Sequence, residues 1–186
     1  MYQNVIFDLD GTLLNTLEDL KDSTNYALAQ HSYPTRTLEE VRCFVGNGIR
    51  KLIDRAVPEG TSVEKTDKVF ATFREYYATH SRVKTSMYEG MEQVMDALKE
   101  QNISMAIVSN KADDAVKDLA KYYFAKYIDV AIGEREGISR KPAPDSVYEA
   151  MRLLGATKEN TVYVGDSDVD RATAKNAGIP CISVTW

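Results

Sequence analysis

A chain of 186 residues, 44% hydrophobic and 27% charged, can bury a full core, or a core plus a small inserted domain, and is too apolar to be disordered. Its formal charge of −5 and the absence of a basic stripe exclude nucleic acid as an expected partner. Cys43 and Cys181 are too few for a disulfide framework or metal cluster and are expected to be small buried residues; with no leader-like start and no apolar run of bilayer length, a cytoplasmic protein without a membrane partner is expected.

The first element is Val5-Ile6-Phe7-Asp8-Leu9-Asp10-Gly11-Thr12, an apolar run ending in two carboxylates, then a Gly that permits a tight exit. From an extended strand Asp8 and Asp10 point the same way, and so close together they repel unless a cation or a shared proton relieves them. A helix follows, with Leu17, Leu20, Thr24, Ala27 and Leu28 on one face. Thr37 and Glu40 have capping-box spacing, and the helix they open is stopped by Gly46-Asn47-Gly48. Ile49, Leu52, Ile53 and Ala56 repeat at helical spacing up to Pro58-Glu59-Gly60, after which Thr61 and Glu64 offer a second capping box. Val69, Phe70, Phe73, Tyr76 and Tyr77 mark the buried face of that helix. Residues 15–84 therefore read as helices only, an insert in the chain.

Beyond it Met91, Val94, Met95 and Leu98 define an amphipathic helix, and Ile103 to Val108 a buried strand ending in Ser109-Asn110. Val116, Leu119 and Ala120 mark the next helix, and Ile128 to Ile132 a short strand. A charged, Gly-containing loop then ends in Arg140-Lys141-Pro142-Ala143-Pro144. A helix with Val147, Ala150, Met151 and Leu154 on one face leads to a strand at Thr161 to Val164, which stops at Gly165-Asp166-Ser167-Asp168. A last helix ends at Gly178, and Cys181 to Thr185 is the final strand. Five strands alternating with helices predict an α/β fold, a doubly wound (Rossmann-like) parallel five-stranded sheet with an inserted α-helical cap domain. The core takes residues 1–14 and 85–186, and the cap 15–84.

Such a sheet collects ligand-binding groups at the carboxyl ends of its strands. Asp8, Asp10, Ser109, Asn110, Lys141, Asp166 and Asp170 are expected to meet there. Carboxylates without His or Cys are hard oxygen ligands suited to Mg²⁺, while a lysine, a hydroxyl and an amide offer the donors a phosphoryl group needs. His31 and His80 have no partners at metal-ligand spacing, and Tyr122, Tyr123 and Tyr127 read as a packing face.

These segments resemble the haloacid dehalogenase superfamily, whose phosphatases carry DxDGT, a Ser or Thr after the second strand, a KPxP lysine and a GDxxxD acidic motif, all present here in that order. The resemblance implies that Asp8 is the nucleophile and Asp10 the general acid and base. It also implies that Mg²⁺ is held by Asp8, the carbonyl of Asp10 and Asp166, that Thr12, Ser109 and Lys141 meet the phosphoryl group, and that Asp170 orients Lys141 from behind the metal. Asp10 sets the chain apart from dehalogenases, which have Tyr there, and from phosphonate hydrolases, which have Ala. Phe44 to Arg50 resembles the VGxG segment of phosphoglycolate phosphatases, as does SNKADD with Lys111. Gly46, Asn47, Arg50, Asn110 and Lys111 are thus expected at the substrate, a small phosphorylated metabolite such as 2-phosphoglycolate, with an exposed interhelical turn the competing reading of Gly46 to Arg50. Nucleotidase, pyrophosphatase, phosphosugar mutase and a non-catalytic phosphate sensor are the alternatives, and a monomer or homodimer is expected. Members continue past a VTWG-like segment into a final helix, whereas this sequence stops at Trp186, so thinner cover of the sheet near Val184 is expected.

Overall fold

The computed structural model describes residues 2–186. Their backbone forms two compact units, 2–14 with 87–186 and 15–86.

The first unit is an α/β sandwich. Strands β1 (Asn4–Phe7), β4 (Ser104–Ala112), β5 (Val130–Glu134), β6 (Thr161–Gly165) and β7 (Cys181–Ser183) form one five-stranded sheet in the order β5-β4-β1-β6-β7, all neighbours parallel. Side chains alternate along each strand, so both faces of β1 are apolar and both are covered. Val5 and Phe7 pack with Met105, Ile107, Val162 and Val164 against Met91 and Met95 of α5 (Met91–Glu100) and Val116 and Leu119 of α6 (Asp113–Phe124). Ile6 packs with Ala106, Val108 and Tyr163 against Val147 and Ala150 of α7 (Asp145–Leu154) and Ala174 and Ala177 of α8 (Asp168–Ala177). Each fully buried Val, Leu or Ile there contributes about 1.5–3 kcal/mol from area burial. With β1 central and β4 and β6 on either side, the chain reverses its winding at β1, and the crevice beyond its carboxyl end is where such sheets bind ligands.

The second unit is helical: α1 (Leu17–Gln30), α2 (Leu38–Phe44), α3 (Ile49–Ala56) and α4 (Val63–His80) enclose Leu20, Leu28, Val41, Leu52, Ile53, Val69 and Phe73. Short strands β2 (Leu14–Asn15) and β3 (Ser86–Met87) lie at the two passages of the chain and make a separate two-stranded sheet. Thr37 caps α2 with both bonds of the capping box.

Several local expectations need correction. Helix α4 is capped by Ser62, whose hydroxyl accepts from Lys65 N; the Thr61 hydroxyl instead donates to Pro58 O at 2.6 Å, closing the preceding turn. Val94 is exposed, because the contact stripe of α5 is narrow and Val94 lies past its edge. Strand β4 runs on through Ser109 and Asn110 with a shifted register, and β5 starts at Val130 because Tyr127 N and Ile128 N are taken by Phe124 O at the end of α6. Cys43 is exposed and Cys181 half-buried. Val184 packs against the core, while Ile182 on the edge strand is 54% exposed. Among the described residues no helix is long and apolar enough to cross a membrane.

Candidate active site

Asp8 follows the last residue of β1 and is held to the sheet by its own N–H, which donates to Val164 O at 2.9 Å. The chain then turns sharply: Leu9 O accepts from Leu13 N and Leu14 N, both at 3.0 Å. Gly11 is required on two counts. Its φ of +89° lies in the left-handed region, and a Cβ there would come within 2.5 Å of the Asp166 carboxylate. Thr12 donates to Asp166 Oδ1 at 3.1 Å, so its hydroxyl, expected at the phosphoryl group, ties the first acidic loop to the third.

Lys141 lies at the centre of a buried polar network. Its Nζ donates to Asp8 Oδ1 and Asp170 Oδ1, both at 2.7 Å, and to the Tyr163 hydroxyl at 3.1 Å. Tyr163 in turn donates to Asp170 Oδ1 at 3.0 Å, closing a triangle. Asn110, expected at the substrate, instead brackets the main chain of Lys141: its Oδ1 accepts from Lys141 N at 2.8 Å and its Nδ2 donates to Lys141 O at 3.1 Å. Asp170 is fixed from behind by the α8 capping box, in which Ser167 N donates to its Oδ2 at 3.1 Å, and by the Ser167 hydroxyl, which donates to the same oxygen at 2.5 Å. Gly165 makes room for it, since a Cβ would stand 2.4 Å from Asp170 Cβ.

Lys111 is buried and donates to both oxygens of Asp10, at 3.0 and 3.1 Å. Expected at the substrate, it is paired with the second acid of the motif. The Ser109 hydroxyl, also buried, accepts from Lys111 N at 3.2 Å.

The charges are strained by burial. Burial pushes the Asp8 carboxyl up to about 7; Lys141 opposes this and Asp170 and Asp10 add to it. Asp166, although exposed at the surface, is raised too, by partial desolvation and then by Asp170. For Asp170 burial works in the same direction but is outweighed by Lys141 and Ser167, so its carboxyl falls below the usual range. Lys141 is likewise held well above its ordinary value by Asp8, Tyr163 and Asp170 against the opposing effect of burial. One oxygen from each of Asp8, Asp166 and Asp170 lies within 4.8 Å of the others. A buried Asp8 and an Asp166 open to solvent, each raised further by the charge of Asp170 and offering only hard oxygens, fit a divalent cation such as Mg²⁺. The Asp10 side chain, turned to Lys111, is not in this trio.

The helical-unit residues have local partners. Arg50 donates to Asp54 Oδ1 at 2.8 Å and pairs with Asp67, and Asn47 Oδ1 accepts from Arg55 at 2.9 Å. Gly46 has φ +101° and open space where a Cβ would stand. These contacts brace α3 against α4 and against the turn before it. Tyr163 was missed from sequence, where it reads as one more apolar strand residue; its phenolic hydroxyl two positions before Gly165 is the signal that a buried polar partner was needed.

The family model of haloacid dehalogenase-like hydrolases matches residues 5–184. Phosphoglycolate phosphatase 1 of Pseudomonas aeruginosa is 34% identical over 188 residues, covering 98% of this chain and 69% of the relative. An inferred pyrophosphatase of Caldanaerobacter subterraneus subsp. tengcongensis is 31% identical over 183 residues, covering 98% of this chain and 81% of its own length. The crystal structure of an inferred phosphoglycolate phosphatase from Lactobacillus delbrueckii subsp. bulgaricus superimposes with a TM-score of 0.93 at 34% identity, covering 100% of this chain and 87% of the other. With its parallel sheet, its four motifs in order along the chain and a match over nearly its whole length, the chain belongs to the haloacid dehalogenase-like hydrolase family.

Proposed function

We propose that the protein is a Mg²⁺-dependent phosphatase that hydrolyses a small phosphomonoester through an aspartyl phosphate on Asp8. The observation that carries this reading is Lys141 Nζ at 2.7 Å from both Asp8 and Asp170, a buried cation beside a buried carboxylate at the sheet's switch point. An Asp8 oxygen attacks phosphorus while the ester P–O bond breaks, and Asp10 gives its proton to the departing oxygen. Asp10 then takes a proton from water, the water oxygen bonds to phosphorus, and the aspartyl O–P bond breaks to release phosphate and restore Asp8. Lys141 and Ser109 hold the phosphoryl oxygens, and Asp170, Tyr163 and Asn110 hold Lys141. Asp8, Asp166 and the carbonyl of Asp10 would hold Mg²⁺, which when bound neutralises phosphoryl charge and lets Asp8 stay ionised.

The 15–84 insert is proposed as the cap that selects the substrate, with Gly46 and Asn47 candidates for meeting a second polar group. Relatives named for phosphoglycolate support a small phosphorylated carboxylic acid such as 2-phosphoglycolate; the relative named as a pyrophosphatase makes pyrophosphate the second reading. Release of phosphate from a panel of 2-phosphoglycolate, other alkyl phosphates, nucleotides, pyrophosphate and p-nitrophenyl phosphate, with Mg²⁺ and with EDTA, tests both. Mg²⁺-dependent turnover is expected, lost in EDTA and in Asp8→Asn. Turnover that needs an added bisphosphate would instead identify a mutase, and metal-independent turnover would refute the mechanism.

A further inference from the structure

Asp8 and Asp10 are held in different ways. Asp8 is part of the sheet, its N–H bonded to Val164 O. Asp10 lies two residues further on, in the turn, where Lys111 grips its carboxylate and Gly11 N donates to Leu14 O at 2.9 Å, while the Gly11 and Leu13 carbonyls take partners from outside the turn.

Two aromatic residues supply that hold. Tyr88 N donates to Leu13 O at 3.3 Å, and the Trp186 indole Nε1 donates to Gly11 O at 2.8 Å. The two rings stack, with centroids 4.7 Å apart and 17° between planes. Alternate carbonyls of the turn are thus tied to one aromatic pair. The Trp186 N–H is directed at the main chain of the turn.

We propose that Trp186, stacked on Tyr88, is a positioning residue that fixes the Gly11 peptide and through it the aim of Asp10, and so serves proton transfer to the leaving group but not attack by Asp8. The inference rests on the proton-transfer role proposed above for Asp10. It makes a selective prediction: a p-nitrophenolate leaves without a proton, whereas an alkoxide needs one, so slackening the turn should slow alkyl phosphates and spare aryl phosphates.

The test is kcat/KM, which covers the steps up to departure of the leaving group, for p-nitrophenyl phosphate and for whichever alkyl phosphate in the panel is turned over fastest, with Mg²⁺ present. Asp10→Asn is the reference, expected to lose at least about a hundredfold on the alkyl ester and far less on the aryl ester. Trp186→Phe keeps a ring for Tyr88 but has no N–H. It is expected to lose about tenfold on the alkyl ester and less than about twofold on the aryl ester, and Trp186→Ala at least as much, with thermal midpoints near wild type. If Asp10→Asn is selective and both Trp186 variants match wild type, or lose both substrates equally, the brace is refuted while the mechanism stands. An unselective Asp10→Asn overturns the role of Asp10 and the inference with it.

Discussion

Lys141 in the α/β unit and Arg50 in the helical unit are each a cation between two carboxylates, yet they stand in different media. The Lys141 side chain is 5% exposed, with Asp8 and Asp170 at 9% and 1%. Arg50 is 31% exposed, with Asp54 at 32% and Asp67 at 53%. Water screens the second group, so its pairs are worth little; the first group has lost its hydration and depends on its partners, so removing one leaves charge uncompensated. Intermediate in exposure is Asp113, 13% exposed, which accepts from Lys117 at 2.6 Å and from Gly133 N at 2.9 Å. The same pairing chemistry is thus chemically potent where it is dry and a minor brace where it is wet.

The comparison is tested most severely at Asp8. Asp8→Asn should cut kcat at least about a thousandfold with the fold intact by circular dichroism; near-normal turnover would mean that the dry network is structural only. Lys141→Ala should lower kcat about a hundredfold and cost about 3 kcal/mol in urea unfolding. A stability cost under about 1 kcal/mol would make Lys141 energetically equivalent to Arg50 and erase the distinction. Gly165→Ala, which drives a methyl into Asp170, should cost about 1–3 kcal/mol and reduce activity, because Lys141 loses its aligned partner.

Asp113 sharpens the middle of the scale. Burial raises its carboxyl, but Lys117 and the Gly133 N–H outweigh burial and hold it below its ordinary 3.8. On acidification the unfolded chain takes the proton first, so Asp113 stabilises the fold above pH 3.8 and that stability fades as pH falls through the lower folded value. Asp113→Asn should cost about 1 kcal/mol at pH 7, and the difference from wild type should shrink as pH falls below the ordinary carboxylate range. Arg50→Ala should cost about 0.5 kcal/mol, and added salt should shrink even that. A large rise in KM in the same variant would show that Arg50 also meets the substrate.

Much of the fold was legible because its signals are local. Val5 to Phe7 and Ile103 to Val108 are apolar on both faces, as strands covered by helices on both sides must be, and the order of strands and helices leaves few topologies. The ends of elements were less legible where a side chain had two local uses: Thr61 serves the turn before α4, so Ser62 takes the cap. At the site, the inventory of groups was readable but their partners were not. Thr12 reaches Asp166, Asn110 the Lys141 main chain and Lys111 the Asp10 carboxylate, none of which spacing alone could give. The pairing of Arg50 with Asp54 was readable, being four residues apart on one helix.

By itself the sequence determined the order of strands and helices and what chemistry lies near the strand ends, since alternation, helical period and turn residues depend only on near neighbours in the chain. Tertiary structure alone decided that Lys141 meets Asp8 across 133 positions, that Tyr163 completes their network and that Trp186 reaches Gly11 across 175. A hydrogen bond tolerates only a few tenths of an ångström, and over such separations that precision comes from sheet register and loop packing, which no local pattern encodes.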